Sequence, residues 1–350
     1  MTCETAHGRI LHADDRRSLV WIASTVVLLH VLGWGTFLVL MLRERPGVNT
    51  SVVIGLAVSA YVLGIRHAFD TDHIVAIDNA TRRLIAAGRR PLSVGFWFAL
   101  GHSTVVMAAV VLLVFGIDVF AGRLFAEDST VRQIADVWGT TLSGLFLVMM
   151  GALNLSSVNG LRKVRRDLRS GQPAQGELED HLDDRGVLNR LLRPLARLVD
   201  RPSKMYPIGV LFGLGLDTAA SVGVFVIAGA SIPGLSSYAV LVLPLLFTAG
   251  MALFDTADGV LMNGVYRWAS FDPHRKVSYN LIVTGISVLV AFLVGGTGLA
   301  SVFVHQWAPD GALETAVTAV DLRFLGVILV AGFALIWIIA SPSSRRERTT

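Results

Sequence analysis

The chain has 350 residues, 53% of them hydrophobic and only 16% charged, against about 25% charged in soluble domains. The formal net charge of +4 does not indicate nucleic acid, because the basic residues stand in short clusters between apolar runs, a membrane pattern. The single cysteine, Cys3, excludes an internal disulfide framework and a cysteine-rich zinc module, and no GxxxxGK[ST] loop is present to drive transport with ATP.

Eight runs are long enough to cross a hydrocarbon layer about 30 Å thick, which takes roughly 20 residues of helix. They lie near 18–42, 51–80, 92–117, 137–160, 206–231, 236–264, 277–304 and 322–341. The sequence therefore predicts an all-α integral membrane protein, a bundle of eight transmembrane helices. Residues 1–17 form a polar tail whose Cys3, His7 and His12 need no metal role, and residues 342–350 form a second tail. The first run is too long for a signal-peptide core and lacks a small-residue cleavage site, so it reads as a retained helix. Residues 161–205 are polar and mixed in charge, a loop with a short amphipathic helix around 187–199. That loop separates helices 1–4 (18–160) from helices 5–8 (206–341).

Orientation follows from Lys and Arg placement. With the N-terminus inside, the inner segments hold 24 basic residues, 11 of them within 162–204, whereas the outer loops hold four: Arg43, Arg45, Arg123 and Arg132. Both termini are expected to be cytoplasmic, in a bacterial inner membrane.

The second span carries Arg66-His67-Ala68-Phe69-Asp70-Thr71-Asp72-His73 between lipid-compatible flanks. Ionisable groups in hydrocarbon cost at least about 2.5 kcal/mol each and mark cavities, partners or ions. Imidazole with carboxylate suits a divalent transition metal, combining a borderline-soft nitrogen with compensating charge. Packing alone does not require four such groups in seven residues. On a continuous helix His67, Asp70 and His73 share a face spanning about 120°, while Asp72 falls about 140° from His67. Either Asp72 serves a neighbouring helix, or the segment is locally unwound, as binding-site helices in transporters often are. Arg66 reads as a charge balance for the carboxylates. Asp78, Asn79, Arg82 and Arg83 read as a solvated, snorkelling end of this span.

The third span contributes FALGHSTVV with His102, the fifth LGLDTAAS with Asp217, and the sixth GMALFDTADGVLMNG with Asp255 and Asp258. Counting from the nearest inner basic residue, Asp70, His102, Asp217 and Asp255 each lie 12 or 13 positions in, about 18–20 Å at 1.5 Å per residue. His30 of the first span reaches the same layer. Substrate sites of secondary transporters lie at such midplane depths. The candidate metal ligands are therefore His67, Asp70, Asp72, His73, His102, Asp217, Asp255 and Asp258. Gly101, Gly213, Gly215 and Gly250 precede polar residues of these motifs, where they allow either close backbone approach to an ion or close helix packing.

These motifs together resemble the nickel/cobalt transporter family (NiCoT). The family's second-span pattern of His, four residues, then Asp-His is matched by His67, Asp72 and His73, and its third-span Gly-His-Ser by Gly101-His102-Ser103. The fifth- and sixth-span patterns match residues 214–219 and 250–259, and the likeness covers about 18–341. The family commonly continues the fifth-span motif Asp-Thr-Ala-Thr-Glu, whereas Ala220 and Ser221 stand here, removing a carboxylate. The resemblance implies an eight-span secondary carrier for Ni²⁺ and Co²⁺.

The leading expectation is a secondary transporter, an uptake permease for Ni²⁺ and/or Co²⁺, with the metal as substrate, the bilayer as partner and no prosthetic group, enzymatic role or nucleic acid. The alternatives are a proton-coupled Ni²⁺/Co²⁺ exporter and a metal-sensing or permease subunit of a larger complex. An intramembrane zinc hydrolase lacks the HExxH pair that would place a general base beside its zinc ligands.

Overall fold

The computed structural model describes residues 13–43, 49–114, 130–169, 197–215, 240–268, 273–307, 311–319 and 325–340. Regular structure among them is helical, without strands. The helices are α1 (Ala13–Arg43), α2 (Thr50–Ala68), α3 (Thr71–Ala86), α4 (Val94–Val114), α5 (Thr130–Arg169), α6 (Met205–Gly213), α7 (Val242–Trp268), α8 (Pro273–Trp307), α9 (Ala312–Thr318) and α10 (Leu325–Ala340), with short 3₁₀ turns at Arg197–Val199 and Pro202–Lys204.

Among the described residues, six helical stretches are long and apolar enough to cross a membrane: Asp15–Arg43, Thr50–Ala68, Val94–Leu112, Asp136–Leu155, Val242–Tyr266 and Leu281–Trp307. They make this a multi-pass membrane protein. The expected fifth span continues outside the described residues beyond Gly215, and the expected eighth coincides with the 16-residue α10. Helix α5 runs to Arg169, past the expected boundary at 160, and α9 is a short helix the hydropathy pattern did not single out.

Burial separates a lipid-compatible rim from a protein-lined centre. Along α1, Val20, Val27, Val31 and Leu42 are all exposed, an apolar surface too extensive for water and suited to lipid. Helix α7 packs against α1, α2, α3, α4 and α10, while α3 packs against α4, α5, α7, α8 and α10. The most polar helix is thus the most enclosed: Thr71, His73, Asp78, Asn79, Thr81 and Arg82 of α3 are all buried. This corrects the solvated-end reading of Asp78, Asn79 and Arg82. Their neighbours are protein groups rather than headgroups or water, which hydropathy alone does not reveal.

Close helix packing depends on glycine. A Cβ at Gly64 would stand 2.1 Å from the Phe247 carbonyl oxygen, one at Gly250 2.5 Å from that of Tyr61, and one at Gly209 2.1 Å from that of Phe98. Of the other glycines before the motifs, Gly101 and Gly213 do the same, a Cβ at Gly101 meeting the Tyr206 carbonyl at 2.0 Å and one at Gly213 that of His102 at 2.9 Å, whereas one at Gly215 would stay at 3.4 Å. Small residues let membrane helices touch backbone to backbone, and here they set the positions of the polar residues beside them.

Candidate metal centre

The expected second span is broken. Helix α2 tightens at its end through i→i+3 bonds, Phe69 N–H to Arg66 C=O (3.0 Å) and Asp70 N–H to His67 C=O (2.9 Å). Asp70 is extended (φ −64°, ψ 140°), and α3 begins at Thr71. Of the two alternatives for Asp72, local unwinding is what occurs. The far end of α3 closes with Gly88 at φ +66°, a left-handed residue that lets Gly88 N–H reach Ile85 C=O and Arg89 N–H reach Leu84 C=O.

Helix α10 braces the break. Gly326 N–H donates to Thr71 Oγ1 at 3.1 Å, and a Cβ at Gly326 would stand 2.3 Å from the Phe69 carbonyl oxygen. No side chain could fit at 326 without moving the turn that separates His67 from His73.

The break folds the two histidines onto each other and onto His102 of α4. Ring centroids are 4.5 Å apart for His67 and His73, and 4.8 Å for either with His102. One ligand atom from each of the three lies within 4.8 Å of the others. Two nitrogens bound at about 2.1 Å to one ion stand at most about 4.2 Å apart. The widest pair therefore has to close by about half an ångström on capture, within reach of small ring rotations.

Two of the imidazoles are backed by carboxylates. His67 Nδ1 lies 2.6 Å from Asp70 Oδ2, and His73 Nδ1 lies 3.3 Å from Asp255 Oδ2 of α7. A carboxylate behind a histidine fixes its ring and tautomer and frees the other nitrogen for a metal. His73 Nε2 is buried and without a hydrogen-bond partner among the described residues, as is His102 Nδ1; such orphans cost about 1–3 kcal/mol. His67 Nε2 and His102 Nε2 face each other at 3.1 Å. Phe98 meets the His73 ring edge-on at 4.8 Å and Phe247 lies 5.8 Å from His67, so apolar rings wall the cluster.

The other candidates fall into three groups. Asp70 and Asp255 stand behind the imidazoles, while Asp72 Oδ1 accepts the His73 backbone N–H at 3.0 Å, at the start of α3 where negative charge suits the helix dipole. Asp258 is buried one turn past Asp255, outside the histidine cluster. Asp217 and Ser221 lie outside the described residues. His30 turns away, bonding Val26 C=O at 2.8 Å and Tyr61 Oη at 3.2 Å, and Arg66 is exposed on α2.

Sequence reasoning missed the positioning glycine Gly95 and one polar network. A Cβ at Gly95 of α4 would stand 1.8 Å from the Asp255 carbonyl oxygen, so that glycine sets where α7 presents Asp255. Beyond the cluster, Arg82 Nε donates to Asp78 Oδ2 (3.2 Å), Arg82 Nη1 to Thr284 Oγ1 (2.7 Å), and Tyr266 Oη to Asp78 Oδ1. Asn154 Nδ2 donates to Asn79 Oδ1 at 2.6 Å, tying α5 to α3. The i,i+4 spacing of Asp78 and Arg82 was the available signal.

Residues 53–342 match the family model described as high-affinity nickel-transport protein. The chain is 43% identical to the nickel transporter NicT of Mycobacterium tuberculosis over 95% of this chain and 90% of the relative. It is 38% identical to the nickel transporter NixA of Staphylococcus aureus, covering 94% of each chain. It is also 38% identical to the cobalt transport protein NhlF of Rhodococcus rhodochrous, over 92% and 91% of the two chains. No solved structure matches.

Proposed function

From its membership of the high-affinity nickel-transport protein family, to which this chain belongs, we infer that it is a secondary permease that takes up Ni²⁺ and/or Co²⁺ through the His67–His73–His102 cluster. The observation that carries this reading is the cluster itself: three imidazoles within ligand reach, His67 and His73 backed by carboxylates, and His73 and His102 each with a buried nitrogen unpartnered among the described residues. Late first-row divalent ions favour such nitrogen donors over the all-oxygen cages that suit Mg²⁺ and Ca²⁺.

In this reading His67, His73 and His102 replace water on the ion. Asp70 and Asp255 orient His67 and His73 and balance the ion's charge, and Asp72 fixes the first turn of α3. Asp217 contributes from the fifth span. The protein is a bundle of eight spans in the bacterial inner membrane, with four on each side of a cytoplasmic loop and both termini cytoplasmic. The break after Phe69 lets α3 move on α2, opening the cluster first to one side and then to the other, as in carriers built on discontinuous helices. An inside-negative potential favours entry by about 2.3 kcal/mol per charge per 100 mV, about 4.6 kcal/mol for a divalent ion, so uptake needs no ATP.

The test is flux of Ni²⁺ and Co²⁺ into proteoliposomes under an imposed inside-negative potential. Wild type should accumulate either or both ions, and His67→Ala, His73→Ala and His102→Ala should each lose uptake while remaining folded in the membrane. Near-wild-type uptake in any two of the three would remove the cluster from the path.

A further inference from the structure

The Arg82 network sets two buried carboxyl groups beside a single committed guanidinium. Asp78 is 3% exposed and Asp258 8% exposed, and Arg82, which bonds Asp78, is 7% exposed. The one guanidinium is committed to Asp78 through Nε and to Thr284 through Nη1, and lies 4.1 Å from the centre of the Tyr266 ring. Asp258 has no such partner. Both its carboxylate oxygens are buried and without a hydrogen bond among the described residues, and Arg82 Nη2 is likewise unpartnered.

These groups continue from the histidine cluster. Asp255 touches His73, Asp258 follows it by one turn of α7, and Tyr266 further along α7 donates to Asp78, so Asp258 lies between two contacts of α7 with α3. Asp78 lies five residues beyond His73 on α3, about 7.5 Å along the axis. The carboxylates thus run from the imidazoles toward the basic-loop end of the bundle, and the last is capped by a cation tethered to the protein.

We propose that Asp78 and Asp258 form a second, transient station for a divalent transition-metal ion, and that in this conformation the Arg82 guanidinium holds its Asp78 side as a stand-in cation which the ion displaces. The station is all oxygen, so it binds a late first-row ion more weakly than the imidazoles do. Release requires sites weak enough to leave, and successive stations permit it. While Arg82 sits on Asp78, its bond to Thr284 also ties α3 to α8 and keeps that end shut. An ion arriving at Asp258 competes for Asp78, frees Arg82 and loosens that tie, so passage and opening are one event. The simpler role, a polar staple between helices, leaves the two bare oxygens of Asp258 without a purpose.

This inference rests on the histidine cluster being the primary site, and the experiment separates the two. Equilibrium dialysis of the purified full-length protein against Co²⁺ counts bound ions, and proteoliposome flux is measured in parallel. Wild type should bind one Co²⁺, Arg82→Gln two, and Arg82→Gln with Asp258→Asn one again. Asp258→Asn alone should hold cluster affinity within about three-fold but lower Co²⁺ flux at least ten-fold. A staple role would not raise the number of ions bound. One Co²⁺ in both wild type and a folded Arg82→Gln overturns this proposal and leaves the cluster standing, whereas none in wild type overturns both. If Arg82→Gln fails to fold, unchanged flux in Asp258→Asn overturns the proposal by itself, and a ten-fold loss with affinity retained upholds it.

Discussion

Replacing Gly95 by alanine separates positioning from ligation, because it adds one methyl group to a residue that touches no ion. Its Cβ would stand 1.8 Å from the Asp255 carbonyl oxygen, where real contacts stay above 3.0 Å, so α4 and α7 must part by about 1.2 Å. Taken up along the line from Asp255 to His73, that movement stretches their 3.3 Å contact to about 4.5 Å and breaks it. Losing the group that orients a metal-bound histidine costs about 10–100-fold in affinity, or about 1.4–2.7 kcal/mol. Alanine is the better helix former by about 1 kcal/mol, so the loss cannot come from helix propensity. The assay is Ni²⁺ uptake into proteoliposomes across a concentration series, with thermal melting as the check on folding. Gly55→Ala and Gly285→Ala, at positions with nothing within 4 Å, should transport like wild type. Wild-type affinity in Gly95→Ala would refute the claim that this helix crossing sets the site.

Asp255→Asn keeps the shape but removes the charge behind His73, and should weaken Co²⁺ binding about 10–100-fold by equilibrium dialysis; wild-type affinity would mean that Asp255 does not support the ligand. A ten-fold excess of Mg²⁺ should barely reduce Ni²⁺ flux, since hard ions suit oxygen cages, and strong competition would point to an oxygen site in place of the imidazoles. Asn154→Ala removes the bond to Asn79 between α5 and α3, and should cost about 0.6–1.7 kcal/mol, read as a lowered melting temperature with the Co²⁺ affinity of the cluster retained.

Much of the site could be read from residue types because charge in an apolar run is expensive and needs a reason. His67, Asp70, Asp72, His73 and His102 announce themselves in that way, and so does Asp255. What the sequence left open was geometry that arises between helices. Phase along a continuous helix set Asp72 apart from His67, yet the i→i+3 turn at Phe69–Asp70 discards that phase and brings His73 back onto His67. Helix phase also gave no reason to choose Asp255 as the partner of His73, since that contact depends on how closely α4 and α7 cross at Gly95. Arg82 was misread for a different reason: an arginine twelve positions from the middle of a span looks the same whether lipid headgroups or other helices surround it.

The contact between His73 and Asp255 joins residues 182 positions apart. A ribosome adding roughly 5–20 residues per second delivers the second about 9–36 s after the first. For most of that interval, once His102 is made, the three histidines are in the chain but the carboxylate that orients His73 does not yet exist. A nascent or truncated chain ending before α7 therefore holds the histidines without the carboxylate that backs His73 in the finished protein. On the proposed reading, the cell is spared a membrane strewn with half-made proteins that sequester nickel without moving it.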